Sequence, residues 1–206
     1  MATKATVLSN VSNDGKVDIE YSTPYMIEAF IEGASAILFH RWSCEAVEEK
    51  SKAAKGSKSK KTDNIESYLY RDEKDHVAIP AEYFRQAIVH AAKYRQDPRS
   101  PRKSAMDLFK AGVATLDEMC SLGVKEPDYM DRRRVVIQRS AITRTRPAMT
   151  AGWKCKVSFQ VLLPEYINPS MLNETLQYAG RIVGVGDFRP SFGRFLVTSF
   201  KVIELK

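Results

Sequence analysis

The residues whose types and spacing could do chemistry gather near the end of the chain, in Gly180-Arg-Ile-Val-Gly184-Val-Gly186-Asp-Phe-Arg-Pro-Ser-Phe-Gly193-Arg194. Arg181, Arg189 and Arg194 bring three cations, and Phe188 and Phe192 bring two flat apolar faces. Gly184, Gly186 and Gly193 lie among them, and glycine permits positive φ and close approach of the backbone to another group. Cations and aromatic faces on a backbone with few side chains in the way suit a sugar-phosphate chain whose bases stack. The plainer alternative is a tight loop whose phenylalanines pack on the core.

Two further stretches carry concentrated positive charge. Arg132 to Lys156 holds eight Lys/Arg residues and no acid, with Arg139, Arg144 and Arg146 at its centre. Lys50 to Lys61 holds six lysines and no acid. Both are phosphate-contact candidates. In the second, Lys52, Lys55, Lys58, Lys60 and Lys61 form an arm able to close over a bound strand. Arg41 and Trp42 end an apolar run and join the set, and Trp153 is a further stacking candidate, with core packing its alternative. Each base stacked on an aromatic contributes about 1–3 kcal/mol, and each phosphate contact makes affinity fall with salt.

Catalysis has one candidate. Of the three histidines, His40 sits beside Arg41 and Trp42, where it could deprotonate a ribose 2′-hydroxyl while a Lys or Arg stabilises the phosphorane. General acid-base work needs a positioned partner, and none is evident in the sequence. His76 reads as a turn residue and His90 as the exposed flank of a helix. No Walker, HExxH, EF-hand or Cys/His zinc pattern occurs, so neither a metal nor another cofactor is expected.

The whole chain has 206 residues and a net charge of +7, with 44% hydrophobic and 28% charged residues. That is enough for one sizeable core, and the charge favours a polyanionic partner. The three cysteines, Cys44, Cys120 and Cys155, lack metal-ligand spacing, and an odd number makes a poor disulfide framework. Reduced thiols and a cytoplasmic location are expected. No apolar run reaches the length of a membrane span.

The elements that must position these residues follow from periodicity. Asp14-Gly15 marks a hairpin, and residues 25–42 read as the first main strand. Residues 43–66 are low-complexity and Lys-rich, the composition of a mobile insertion. A short hairpin runs over 67–80. Phe84, Ala87, Ile88, Ala91 and Ala92 then make one face of a helix. Met106, Phe109, Val113, Leu116, Met119 and Cys120 keep helical spacing, which predicts a second helix over 103–122 within a helical insertion at 97–131. Residues 133–146 read as a strand with a cationic face, and 153–163 as its antiparallel partner across a turn at 147–152. A helix opens near Asn168-Pro-Ser170, with Ser170 as N-cap and Gly180 as C-cap glycine. A final strand runs from Arg194 to Leu205. The order is the βαββαβ plan of a ferredoxin-like, RRM-like α+β domain with an antiparallel sheet, one domain over 1–206, and such a sheet is a known platform for single strands.

The sequence resembles the RAMP superfamily, the RRM-like proteins of CRISPR effector complexes. The glycine-rich loop before the last strand carries the resemblance. So does Ile79-Pro80-Ala81-Glu82-Tyr83-Phe84-Arg85-Gln86-Ala87-Ile88, which looks like the family's strand-then-proline entry to the first helix, with Ala87 where a glycine is usual. Gln138-Arg139-Ser140, Arg144-Thr-Arg-Pro147, Trp153 and the loop also look like small RAMP-like proteins of bacteriophage and mobile elements. The resemblance implies one of two activities. Backbone-type members coat single-stranded RNA as oligomers without chemistry of their own, and repeat-processing members cut RNA without metal through a histidine. It also allows a protein that binds or mimics part of a CRISPR complex. The chain has one glycine-rich loop where processing enzymes often have two domains, and it is short for a backbone subunit. The expectation is a non-catalytic binder of single-stranded RNA or DNA, coating the strand as a homo-oligomer, with CRISPR-type subunits as further partners. A metal-independent ribonuclease built on His40 is the alternative.

Overall fold

A computed structural model describes residues 23–41, 52, 65–137 and 140–204. Its principal sheet holds β1 (Tyr25–Gly33), β7 (Val113–Thr115), β11 (Lys154–Val161) and β12 (Phe195–Glu204), in the order β12-β1-β11-β7. All three pairings are antiparallel. Tyr25, Ile27, Ala29 and Ile31 on β1 are buried while the residues between them are more exposed, the period-two pattern of a sheet covered on one face.

That face is covered by α1 (Ala81–Ala92) and α3 (Pro169–Ile182). The predicted stripe of α1 holds: Phe84, Ala87, Ile88, Ala91 and Ala92 are all buried. Phe84 meets Phe195 of β12 edge-to-face, with ring centroids 5.4 Å apart. Gly180 lies inside α3 and does not end it. A Cβ there would stand 2.1 Å from the Phe195 carbonyl oxygen, so glycine lets the helix backbone lie directly on β12. The N-cap is Asn168, whose side chain accepts from the Met171 amide at 2.8 Å with Pro169 as the first helical residue, and not Ser170.

The first strand is shorter than its composition predicts. Gly33 sits under the Trp153 indole, where a Cβ would meet Nε1 at 2.1 Å, and the chain leaves the sheet here. It re-forms as β2 (Ile37–Leu38) in a second sheet, ordered β2-β10-β9. β9 (Tyr129–Ile137) and β10 (Ser140–Met149) form a long antiparallel hairpin. The basic block expected as one strand is thus both arms of a hairpin. Its expected partner, β11, pairs instead with β1 and β7 in the principal sheet.

The predicted hairpin over 67–80 is present as β3 (Tyr70–Arg71) and β4 (Val77–Pro80), joined by β8 (Met119–Ser121). The helix expected over 103–122 is not. α2 spans only Met106–Gly112, after the ribbon β5 (Gln96–Asp97) with β6 (Ser100–Ser104). Arg85 closes its end, donating to the Lys110 and Val113 carbonyls at 2.5 and 2.6 Å. Beyond it, Val113 and Cys120 are buried in two separate strands, while Leu116 is 47% exposed. Pairing with β11 and β4 overrides the helical spacing. The 97–131 segment is therefore mixed, and only its α2 turns are helical.

Candidate nucleic-acid interface

The loop after α3 is folded tightly enough to explain its glycines. Gly193 has φ +73°, and a Cβ there would overlap the Val185 carbonyl oxygen at 1.6 Å. Gly186, at φ +81°, passes over Ile37 and the Leu38 carbonyl. Backbone bonds tie the loop to the segment that leaves β1. Gly193 N donates to Ala36 O at 2.7 Å, Asp187 N to Leu38 O at 2.9 Å, and Ala34 N to Arg194 O at 2.8 Å. The loop thus lies on β2, beside the β9–β10 hairpin and the exposed flank of α1.

This junction brings distant residues together. Arg144 Nη1 on β10 lies 3.3 Å from His40 Nε2, and His40 Nδ1 lies 3.8 Å from Asp187 Oδ2. His40 also meets the Tyr68 ring edge-on at 4.7 Å. The sequence shows no partner for His40, but the fold supplies an arginine, an acid and a tyrosine. Arg41 is exposed, with its guanidinium 5.6 Å from the Tyr70 ring centre. Tyr70 and Tyr83 share a hydroxyl-hydroxyl hydrogen bond of 2.9 Å. Burial first, and that bond second, push the Tyr83 phenol well above its ordinary range, so it stays protonated.

His40, Tyr70, Tyr83 and Asp187 frame a cleft of about 340 Å³. Ile37, Leu38, Phe39 and Ile79 floor it, and His40, Tyr83, Gln86, His90, Asp187 and Arg189 carry its polar groups. A wider groove of about 550 Å³ continues past Gly186 and Arg189 to Lys93, Tyr94 and Phe188. His90, on the exposed flank as the sequence predicts, borders both.

Other expected contacts have different surroundings. Arg146 is 6% exposed, and its Nε lies 2.5 Å from Asp187 Oδ2. It holds Asp187 in place and neutralises it, so it is not an open phosphate ligand. Trp153 is 5% exposed and donates to the Ser35 carbonyl at 2.9 Å, which makes it a core residue and removes it from the stacking set. Phe192 and Phe188 are edge-to-face, with Arg133 over them at 4.4 and 5.4 Å from the ring centres. Phe188 has φ +62° and is 43% exposed. Arg194 donates to the Pro190 carbonyl at 3.0 Å with its side chain on the surface. Arg181, on the exposed side of α3, lies 5.6 Å from the Tyr178 ring centre. Lys52 is exposed. Trp42, Lys55, Lys58, Lys60, Lys61 and Arg139 lie outside the described residues, as do the early hairpin and most of the Lys-rich insertion.

The open face of the principal sheet is not where the cations gather. Two of its lysines pair with acids across the strands, Lys156 with Glu28 at 3.0 Å and Lys154 with Glu32 at 3.5 Å, and Lys201 lies over the Phe30 ring at 5.4 Å. At the loop, by contrast, Arg41, Lys93, Arg144 and Arg189 have no carboxylate within ion-pair distance among the described residues. Such clustered cations repel one another unless an anion lies between them. Sequence reasoning missed Lys93, Tyr70, Tyr83, Gln86 and Asp187. Asp187 alone had a local signal, as the one acid among the loop's glycines.

A known structure shares this fold. The chain superposes on one from a cryo-EM structure of the Type III-B Cmr-beta bound to cognate target RNA, with TM-score 0.52, 12% identity, 90% of this chain and 63% of that one covered. The crystal structure of Cmr6 from Pyrococcus furiosus gives TM-score 0.44 and 9% identity, over 85% of this chain and 99% of that one. The likeness to the Cmr-beta chain is one of fold. This chain thus spans less than two thirds of the Cmr-beta subunit it matches. No protein-family model and no curated protein matches it. Among the described residues, no helix is long and apolar enough to cross a membrane, and no three His, Cys, Asp or Glu residues form a group that could hold a metal.

Proposed function

We propose that the chain is a non-catalytic binder of single-stranded nucleic acid, RNA or DNA, whose strand runs along the groove beneath the glycine-rich loop. One observation carries this reading. Lys93 and Arg189 line one aromatic-flanked groove and its cleft, Arg41 and Arg144 stand against the cleft residues Tyr70 and His40, and all four, far apart in sequence, lack carboxylate partners among the described residues. Cations next to exposed aromatic rings follow the phosphates of a single strand and stack its bases. The strand order β12-β1-β11-β7, with α1 after the first strand and α3 before the last, supports a ferredoxin-like βαββαβ core. β7 then takes the second strand's place, and the β9–β10 hairpin is an insertion within a single domain. The Cmr-beta neighbour, described as bound to target RNA, agrees with this reading and with a place in a multi-subunit complex. In the proposal, copies of the chain coat the strand side by side. Labelled single-stranded RNA, single-stranded DNA and duplex, titrated at several salt concentrations, test it. Binding that prefers single strands, with complexes that step up in size as the strand lengthens, is expected. Equal affinity for duplex overturns the single-strand assignment, and a single complex on long strands overturns coating.

The geometry around His40 favours one second reading. Asp187, 3.8 Å from Nδ1, could orient the His40 ring, and Arg144, 3.3 Å from Nε2, could stabilise a phosphorane once it moves off that nitrogen to leave it free as the base for metal-independent RNA cleavage. RNA cleaved in EDTA by the native chain but not by His40→Ala would establish it. Intact RNA at saturating protein would exclude it.

A further inference from the structure

The cleft beside the loop differs from the groove that continues it. The groove opens broadly to solvent between Lys93 and Phe188, whereas the cleft has a closed apolar floor of Ile37, Leu38, Phe39 and Ile79, each at most 4% exposed. Its volume of about 340 Å³ falls at the small end of the range for small-molecule sites, about 300–1,000 Å³. A phosphate has no use for an apolar floor. A nucleobase does, because its rings gain from leaving water while its edge needs a few hydrogen-bond partners.

Those partners are present. Gln86 directs its amide nitrogen to the Glu82 carboxylate at 2.5 Å, which can only accept, so the Gln86 carbonyl oxygen is left as an acceptor in the cleft. The protonated Tyr83 hydroxyl, fixed by Tyr70, stands in the same wall. Asp187 is already occupied, since Oδ1 accepts from the Phe188 amide at 2.9 Å and Oδ2 faces Arg146. Arg189 stands at the boundary of cleft and groove, where the phosphate of an inserted nucleotide would pass.

We infer that the cleft between β2, the start of α1 and the glycine-rich loop takes one unstacked nucleobase of the bound strand and selects a base that carries an exocyclic amine. The inference rests on the proposed strand binding but assigns a separate site within it. The amine donates to the Gln86 carbonyl, the base lies over the apolar floor beside Tyr83, and Arg189 holds the adjoining phosphate. Uracil carries a carbonyl where adenine and cytosine carry the amine, so in the same placement it sets oxygen against the Gln86 oxygen and offers only its ring N3–H, one position away, as a donor.

An abasic scan on the shortest oligonucleotide that saturates binding tests this. Removing one particular base is expected to weaken binding about ten-fold, with smaller losses elsewhere. Adenine at that position should bind several-fold tighter than purine lacking the 6-amino group. Gln86→Ala should erase the amine preference, and Tyr83→Phe should retain most of the affinity. Arg189→Ala should weaken every oligonucleotide alike. A flat scan, with Gln86→Ala leaving base preference unchanged and Arg189→Ala still weakening binding, overturns the base site and leaves strand binding intact. No saturable binding of any oligonucleotide overturns both.

Discussion

Replacing Arg189 with alanine isolates one phosphate contact, and its effect can be worked out from the charges around the groove. Lys93 and Arg189 line it, and Arg41 and Arg144 stand against the neighbouring Tyr70 and His40; none of the four has a carboxylate partner among the described residues, whereas Arg146 is held by Asp187 and Arg133 by Asp131. Each phosphate neutralised on a single strand contributes about 0.7 to the slope of log affinity against log salt. Four contacts give a slope of about −3, or about a 50-fold loss of affinity between about 50 and 200 mM salt. Arg189→Ala should lower the slope to about −2 and the loss to about 20-fold. Fluorescence anisotropy of a labelled single strand, titrated at five or more salt concentrations, reads both slopes. Arg85→Ala is the control, since that guanidinium is spent on Glu82 and on the carbonyls that end α2. It should leave the slope unchanged. A native slope near zero, or an Arg189→Ala slope equal to the native one, refutes the reasoning. Equal flattening by Arg85→Ala would show that the effect is general charge and not this groove.

Three further outcomes are expected. Gly193→Ala places a methyl group on the Val185 carbonyl at φ +73°, so thermal unfolding should show a loss of about 2 kcal/mol or more, with binding lost as the loop leaves β2. Asn168→Ala removes the α3 cap and should cost about 1 kcal/mol in urea unfolding, while Ser170→Ala should cost little; the reverse order would contradict the cap geometry. The Thr150 hydroxyl and amide hold the Asp128 carboxyl below its ordinary pKa, and Arg99 does the same for Asp97. A depressed carboxylate contributes its full stability above the unfolded pKa and loses it as pH falls through the folded one. Urea midpoints should therefore drop below about pH 4, and Asp128→Asn should be less stable at neutral pH with a shallower acid decline.

Sequence alone determined the parts of this protein that depend on local patterns. The α1 stripe was legible because its apolar face recurs at helical spacing over three turns, and the glycine-rich loop because its glycines sit between a helix and an apolar run. The gathering of charge in the 132–156 block was visible without coordinates. What the pattern could not reveal was pairing. Met106 to Cys120 fits a helix as well as it fits a short helix and two strands, and only β11 and β4, elsewhere in the chain, decide between them. The basic block became a hairpin and not a partner of β11 for the same reason, because strand pairing is a long-range contact with no local signature. Trp153 reads equally as a base platform or a core residue until Gly33 is found beneath it. Charge followed the same division. Composition counts arginines, but only the tertiary structure sets Asp187 against Arg146, Arg144 against His40 and Arg189 in the groove wall, since the energy of a charge depends on its neighbours within a few ångströms and on its distance from water.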